Sequence, residues 1–440
     1  MNGTPSNRPQ WTSQRAFIIS SVAGVVGLGN LWRFPYMVGD NGGGSFIAAY
    51  LICIVAVGLP LFVLETSAGG LVDRGPVGVF RRAGGRWGAW IGWVIVAVIV
   101  TLMSYYFVIT GWTLGYFADA LRLNVRPFDE FTSGYASVWW FLAVGALVFL
   151  VLRKGTGSIE RLGKVLLPML ALMVAGLAVY GQTLGGAAEA RSFYTSFSID
   201  ALLSLQTWQM AAGQAFYSLG VGTGVLITFG SYVPKNVNLI TSSAAIALTN
   251  SAISLCAGIM VFSIVFTFGL VPDEGSQLSF TAFPRIFESI AGGAFLAIFY
   301  FGLLFLAAFS SCYSGLAAAM APLRDELHLS PTTAALLLTG ATLALGLPSA
   351  LSFSSPGLEL GGRPFLEWVD RFAGSGVIVA LGIGGAALIA WRLPRAALVQ
   401  EMTAGRWQGM PLALLPHLAI EAGRFIPAAT LVLLTVTTVV

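Results

Sequence analysis

The sequence predicts an all-α polytopic membrane protein, and three observations carry that reading. Of the 440 residues, 56% are hydrophobic and 10% charged, with a mean hydropathy of +0.82. Soluble domains carry charge on roughly a quarter of their residues. Apolar runs recur from one end of the chain to the other, many of them reaching the about 20 residues that a bilayer-crossing helix needs. Two of these runs are broken at the middle by clustered glycines: Gly24, Gly27 and Gly29 in the first, Gly220, Gly222 and Gly224 in the sixth.

Eleven spans are expected, near 13–37, 44–72, 88–121, 135–152, 160–181, 203–232, 240–270, 291–327, 332–350, 366–391 and 413–438. A cytoplasmic N-terminus gathers most Lys and Arg inside, among them Arg74, Arg81, Arg82, Arg86, Arg153, Lys154, Lys235 and Arg395. It leaves only Arg122, Arg126, Arg191, Arg285, Arg363 and Arg371 in outer loops, the asymmetry that orients membrane proteins. The formal charge of +4 reflects that bias and gives no reason to expect a nucleic-acid partner. Cys53, Cys256 and Cys312 fall within spans and read as packing residues. His328 and His417 have no partners at metal-ligand spacing, so no metal centre is expected. The first nine residues are polar and the first span is too long for a signal h-region, so no cleavable signal is expected. Short outer loops, and an Asn-x-Thr sequon only at Asn2 on the inner side, fit the plasma membrane of a prokaryote.

The first span reads Ser20 to Ser45 through Gly-Val-Val-Gly-Leu-Gly-Asn-Leu-Trp-Arg-Phe-Pro. Each interior glycine costs a helix about 1 kcal/mol relative to alanine. Bare backbone is tolerated at membrane depth only where protein or a wet cavity covers it. Close helix packing on small residues would account for the glycines equally well. Asn30 and Arg33 decide against it, because polar groups inside a span mark function. The sixth span repeats the device as Gly213-Gln-Ala-Phe-Tyr-Ser-Leu-Gly-Val-Gly-Thr-Gly224. A dinucleotide loop would need a strand–turn–helix context that is missing here. Spans 1 and 6 correspond if spans 1–5 and 6–10 are two inverted repeats, and paired broken helices point to a transporter site.

Further stretches make the pattern specific: Gly-Leu-Gly-Asn-Leu-Trp-Arg-Phe-Pro (27–35), Asn-Gly-Gly-Gly (41–44), Tyr105-Tyr106 with Trp112-Thr-Leu-Gly, and Ile159-Glu-Arg. Gly213-Gln214, Ser231-Tyr232, Phe309-Ser-Ser and Asp325-Glu-Leu follow in order. On these residues the chain resembles the neurotransmitter:sodium symporter family of the bacterial leucine-transporter type, over nearly its whole length. The resemblance implies one transporter domain over 1–440, with inverted five-helix repeats at 13–181 and 203–391 and one extra helix at 413–438. It also implies sodium-coupled symport by alternating access, with a single copy sufficient for transport and no enzymatic activity.

The same resemblance implies two sodium sites. The first would use Val25, Asn30, Ser218 and Asn250; the second Ala23, Val26, Ala307, Ser310 and Ser311. Taken alone, Ser310 and Ser311 would read as hydroxyls bonded back onto their own helix. The substrate would sit between the breaks, among Gly24, Val25, Gly27, Leu28, Gly29, Leu102, Tyr106, Tyr217, Ser218, Gly220, Thr223, Ser311 and Gly315. The amides of Leu28 and Gly29, with the Tyr106 hydroxyl, would hold a carboxylate, as exposed helix N-termini do. Monoamine members of the family carry aspartate where this chain has Gly27, which favours substrates that bring their own carboxylate. Gly220, Thr223, Gly315 and Tyr217 open and hydroxylate the side-chain pocket, favouring a bulky or aromatic neutral amino acid. An omega-amino acid such as GABA or taurine is the alternative, as is a non-transporting sensor on the same scaffold.

Arg33 above the site, paired with Asp370 across an outer vestibule and with Tyr106 and Tyr217 as a thin aromatic lid, would gate the outer side; Arg8 with Asp325, and Trp11, Ser231 and Tyr232, the inner side. Glu65 is expected to bond structurally rather than to touch substrate. Chloride-independent bacterial members carry a carboxylate where this chain has Ser254. Tyr50, Gln214, Ser218, Asn250 and Ser254 are then the neutral donor set that holds chloride in animal members, and chloride dependence is expected. In span 5, Ser158 stands where the family often has a glycine ten residues before Pro168, which bears on unwinding at the inner end.

Overall fold

The computed structural model describes residues 10–270, 280, 283–284, 286–287, 292–354, 357–370, 372, 377–404 and 414–426. Arg8 lies outside them, as do Arg285, Arg371 and most of the expected span 11 beyond residue 426. Among the described residues, six helices are long and apolar enough to cross a membrane: Gly44–Val72, Pro76–Leu121, Thr156–Gly181, Leu239–Thr267, Gly293–Leu327 and Pro331–Ala350. A seventh crossing is the bent pair Gln14–Val25 and Gly29–Asp40, which turns through 55°. Span 4 is the shorter helix Ala136–Leu152, and span 6 is split into Leu205–Leu219 and Val225–Gly230. Span 10 comprises Phe365–Val369 and Ile378–Arg392.

Local chemistry sets the ends. Ser13 accepts from the Ala16 amide at the start of span 1, Asn238 from Thr241 at the start of span 7, and Ser330 from Thr333 at the start of span 9. Such N-caps satisfy donors that a helix leaves unpaired. The 46-residue helix Pro76–Leu121 is two helices joined at Gly84 and Gly85, where Gly85 takes φ 60°. Its first part is a short inner helix, and the span proper follows. A two-residue hairpin, Glu359–Leu360 against Arg363–Pro364, turns over Gly361 and Gly362 before span 10.

Span 8 packs most extensively along span 3. Span 1 lies against spans 5, 7 and 8, and the two halves of span 6 pack on the two halves of span 2. Spans 1, 3, 6 and 8 thereby enclose the centre of the bundle, with both breaks facing it. The inner half of span 5 is helical from Thr156 through Ser158.

Candidate functional site

Span 1 stops at Val25, and Val26 takes an extended conformation. Side chains replace the missing helical bonds: Asn30 Oδ1 accepts the Gly27 N–H at 3.2 Å, and the Tyr106 hydroxyl accepts the Leu28 N–H at 3.0 Å. Span 6 stops at Gly220, and Gly220, Gly222 and Gly224 take φ of 67°, 84° and 75°. Side chains with a Cβ rarely enter that region. Thr223 Oγ1 donates to the Gly220 carbonyl at 2.6 Å. Glu65, fully buried on span 2, accepts the Gly222 N–H at 2.9 Å, the structural bond expected of it.

One cavity lies between the breaks. Gly24, Val25, Gly27 and Gly29 of span 1, Leu102 and Tyr106 of span 3, Tyr217, Gly220 and Thr223 of span 6, and Ser311 and Gly315 of span 8 line it. Of the residues expected around the substrate, Leu28 stands behind the lining and Ser218 turns toward a polar cluster instead. The Leu28 amide is engaged by Tyr106, so the tyrosine's own proton is the one available for donation from that pair. Ile99, Met103 and Val225 also line the cavity and were not anticipated. Ile99, Leu102, Met103 and Tyr106 fall at helical positions i, i+3, i+4 and i+7, so the period of span 3, counted from Tyr106, carried the signal.

The polar cluster is built on Asn30. Its Nδ2 lies 3.0 Å from Ser218 Oγ, 2.9 Å from Asn250 Oδ1, 3.4 Å from the Asn250 carbonyl and 2.7 Å from Ser254 Oγ. One NH2 group with two hydrogens therefore faces four oxygens. Asn250 Nδ2 donates to Ser218 Oγ at 2.6 Å, and the Tyr50 hydroxyl lies 3.2 Å from the same oxygen. Asn30, Ser218, Asn250 and Ser254 are all buried. Gln214 does not join them: its Nε2 donates to the Gly29 carbonyl at 2.9 Å, and its Oε1 accepts from Arg33.

At the other expected ion site, Ser310 Oγ donates back to the Ala307 carbonyl at 2.8 Å, while Ser311 Oγ reaches across to the Gly24 carbonyl at 3.3 Å. Ser311 thus ties span 8 to the last helical turn of span 1 before its break, whereas Ser310 bonds within its own helix. Ala23 lies in the same last turn before the break, and Val26 in the break itself.

On the outer side, Arg33 lies over the Tyr217 ring at 4.9 Å and is held by Gln214. Asp370 is within its electrostatic reach and beside Tyr105. On the inner side, the Trp11 amide donates to the Tyr232 carbonyl at 2.8 Å and its indole N–H to the Phe229 carbonyl at 3.0 Å. Ser231 bonds to the Thr228 carbonyl, and Asp325 Oδ2 accepts the Gly75 N–H at 3.0 Å. Thr12 bonds the Glu160 carboxylate, which also pairs with Lys164 at 2.6 Å. The segment before span 1 is therefore clamped to the ends of spans 5 and 6.

With this geometry in place, likeness to known proteins can be read. The sodium:neurotransmitter symporter family matches residues 8–138 and 134–412. An uncharacterized sodium-dependent transporter of Bacillus subtilis is 31% identical over 419 residues, covering 90% of each chain. One of Haemophilus influenzae is 28% identical over 417 residues, covering 89% of this chain and 91% of the relative. The human sodium- and chloride-dependent GABA transporter 2 is 25% identical over 444 residues, covering 87% of this chain and 73% of its own. Among solved structures, MhsT in complex with L-phenylalanine superposes with a TM-score of 0.87 at 31% identity, covering 98% of this chain and 99% of that one. The fold is thus the leucine-transporter type expected from the sequence. A match running from residue 8 to residue 412, on a bundle broken at both helices that face its central cavity, makes this chain a member of the sodium:neurotransmitter symporter family, a family of secondary transporters rather than enzymes.

Proposed function

We propose that the protein is a sodium-coupled, chloride-dependent symporter of a bulky or aromatic neutral amino acid, working by alternating access in a prokaryotic plasma membrane with its N-terminus inside. The observation that carries the reading is the pairing of a largely apolar cavity with a polar rim at the break of span 1. Tyr106, whose hydroxyl proton remains available for donation, stands with Gly27 and Gly29 at the rim and suits a carboxylate. Ile99, Leu102, Met103 and Val225 form an apolar wall and suit a hydrocarbon side chain. No acid stands among the residues lining the cavity, so nothing there favours a bare amine. The solved relative that holds L-phenylalanine supports the same substrate class.

The Asn30 cluster supports sodium as co-transported cargo. The two ends of a side-chain amide have nearly the same shape. Turning Asn30 over, which releases the Gly27 N–H, would bring Oδ1 together with the Ser218, Asn250 and Ser254 oxygens, a gathering of oxygens that suits a cation. The second site is supported by Ser311, which already faces the freed carbonyl of Gly24. Breaking Ser310 from the Ala307 carbonyl would free two further oxygens.

Chloride dependence rests on Ser254. The polar groups around Asn250 are all neutral: Tyr50, Ser218, Ser251 and Ser254. A cation in a low-dielectric interior gains far more from a nearby anion than it would in water. Ligand-induced thermal shift with L-phenylalanine in sodium chloride, sodium gluconate and choline chloride tests the reading, because ligands stabilise by mass action. Stabilisation in sodium chloride, weaker in gluconate and absent in choline, is the expected result, and Ser254→Glu should bind without chloride. Equal shifts in all three media would overturn the coupling, and a shift insensitive to gluconate would overturn the chloride part alone.

A further inference from the structure

We propose that Met103 sets the side-chain specificity of the cavity, acting as a movable wall in the space that Gly315 leaves on the facing span. The proposal rests on the amino-acid reading above and narrows it. Ile99, Leu102, Met103 and Tyr106 make one stripe along span 3 and all line the cavity. A helix rises 1.5 Å per residue, which sets Ile99 roughly 10 Å from Tyr106 along the axis. Tyr106 marks the polar end, since its hydroxyl meets the Leu28 amide at the break of span 1. Ile99 and Val225 mark the apolar end. A ligand anchored by its carboxylate at Tyr106 would run its side chain past Met103.

Gly315 stands opposite. A Cβ added there would lie 2.7 Å from Met103 Sδ, 3.0 Å from Cε and 3.3 Å from Cγ. The volume that a glycine opens at 315 is therefore occupied by the thioether rather than empty. Methionine is unbranched, with three rotatable bonds and a polarizable sulfur that packs well against ring edges. A wall of that kind yields to a flat ring or a long unbranched chain. A β-branched residue is stiff at χ1 and cannot yield in the same way.

The test is competition against radiolabelled L-phenylalanine uptake in proteoliposomes by L-tryptophan, L-leucine, L-valine and L-alanine. It compares the parent protein with Met103→Ala, Met103→Ile, Gly315→Ala and the double variant Met103→Ala/Gly315→Ala. Gly315→Ala pushes the thioether into the cavity and should lower phenylalanine affinity about tenfold, as overpacking does, while alanine competes as before. Adding Met103→Ala should return phenylalanine to within about threefold of the parent, a coupling that only contacting residues show. Met103→Ala alone should move the rank order toward tryptophan, and Met103→Ile away from it. Additive losses in the double variant, or one rank order across all Met103 variants, would overturn the proposal. Met103→Ile keeps much of the volume, so a rank order can be read even if the alanine variant fails to fold. A parent protein that takes up none of these amino acids in sodium would sink the substrate reading, and this proposal with it.

Discussion

Span 1 parts at Gly27 with no left-handed residue, whereas span 6 parts at Gly220, Gly222 and Gly224 with φ of 67°, 84° and 75°. A Cβ on Gly27 would lie 2.3 Å from Ser311 Oγ and 2.7 Å from the Tyr106 hydroxyl. A Cβ on Gly220 would meet nothing nearer than 3.6 Å. Glycine therefore supplies room at Gly27 and backbone conformation at Gly220. The bonds that stabilise the two breaks differ in the same sense. An amide and a hydroxyl, Asn30 and Tyr106, cover the amides of span 1, while a buried carboxyl group, Glu65, covers Gly222 of span 6. The first break is shaped by what lies across the cavity, while the second also needs left-handed backbone, with Gly224 further confined by Pro76.

Substitutions can break this contrast. The largest effect is expected at Gly27: an alanine there overpacks the cavity, at a cost of about 1–3 kcal/mol. The clash is with the protein's own side chains, so the melting temperature without ligand should fall, and radioligand binding should show a loss of up to about 100-fold in affinity. Next comes Glu65→Ala, which strands the buried Gly222 N–H and should destabilise by about 1–3 kcal/mol. Glu65→Gln keeps an acceptor and should recover most of that stability in a thermal melt.

Gly220→Ala should cost about 1–2 kcal/mol, the penalty of a left-handed residue with a Cβ. Asparagine enters that region more readily, so Gly220→Asn should melt higher than Gly220→Ala. At Gly27 the order should reverse, since the larger side chain collides more. Equal ranking at both positions would erase the distinction between the breaks.

The smallest effect concerns the inner end of span 6. Lys235, just beyond it, bonds the Gly70 carbonyl of span 2 and pairs with Asp73 at 3.2 Å and Glu401 at 3.3 Å. Burial raises the Glu401 carboxyl above its ordinary value, a rise that Lys235 partly offsets. A carboxyl raised in the folded state contributes stability below its unfolded value and loses that contribution as pH rises through the folded one. Melting temperature should therefore fall slightly over that acidic window, and Glu401→Gln should flatten the change.

The broken spans were legible because glycines and polar residues weaken an apolar helix, and a span keeps them only where they serve a site. Asn30, Ser218, Asn250 and Ser254 were each expected at an ion site, and they meet in one cluster. Gln214 was not separable from them by sequence, because its contact with Arg33 and Gly29 depends on how the outer half of span 1 leans on span 6. Met103 escaped for a similar reason. A methionine on a buried helix face is ordinary core, and only the facing Gly315 turns it into a cavity wall. Gly315 in turn looked like open volume from sequence alone. Local backbone demands are written in residue type, whereas the filling of space between spans depends on which residues the fold sets opposite one another.

Uptake of radiolabelled L-phenylalanine into proteoliposomes is the most direct measurement of the central claim. An inward gradient of sodium chloride should drive accumulation above the external concentration. Replacing sodium with choline should abolish it, and Asn30→Ala should weaken sodium and substrate dependence together. Accumulation unchanged in choline, or no accumulation of any neutral amino acid under the sodium gradient, would contradict the account.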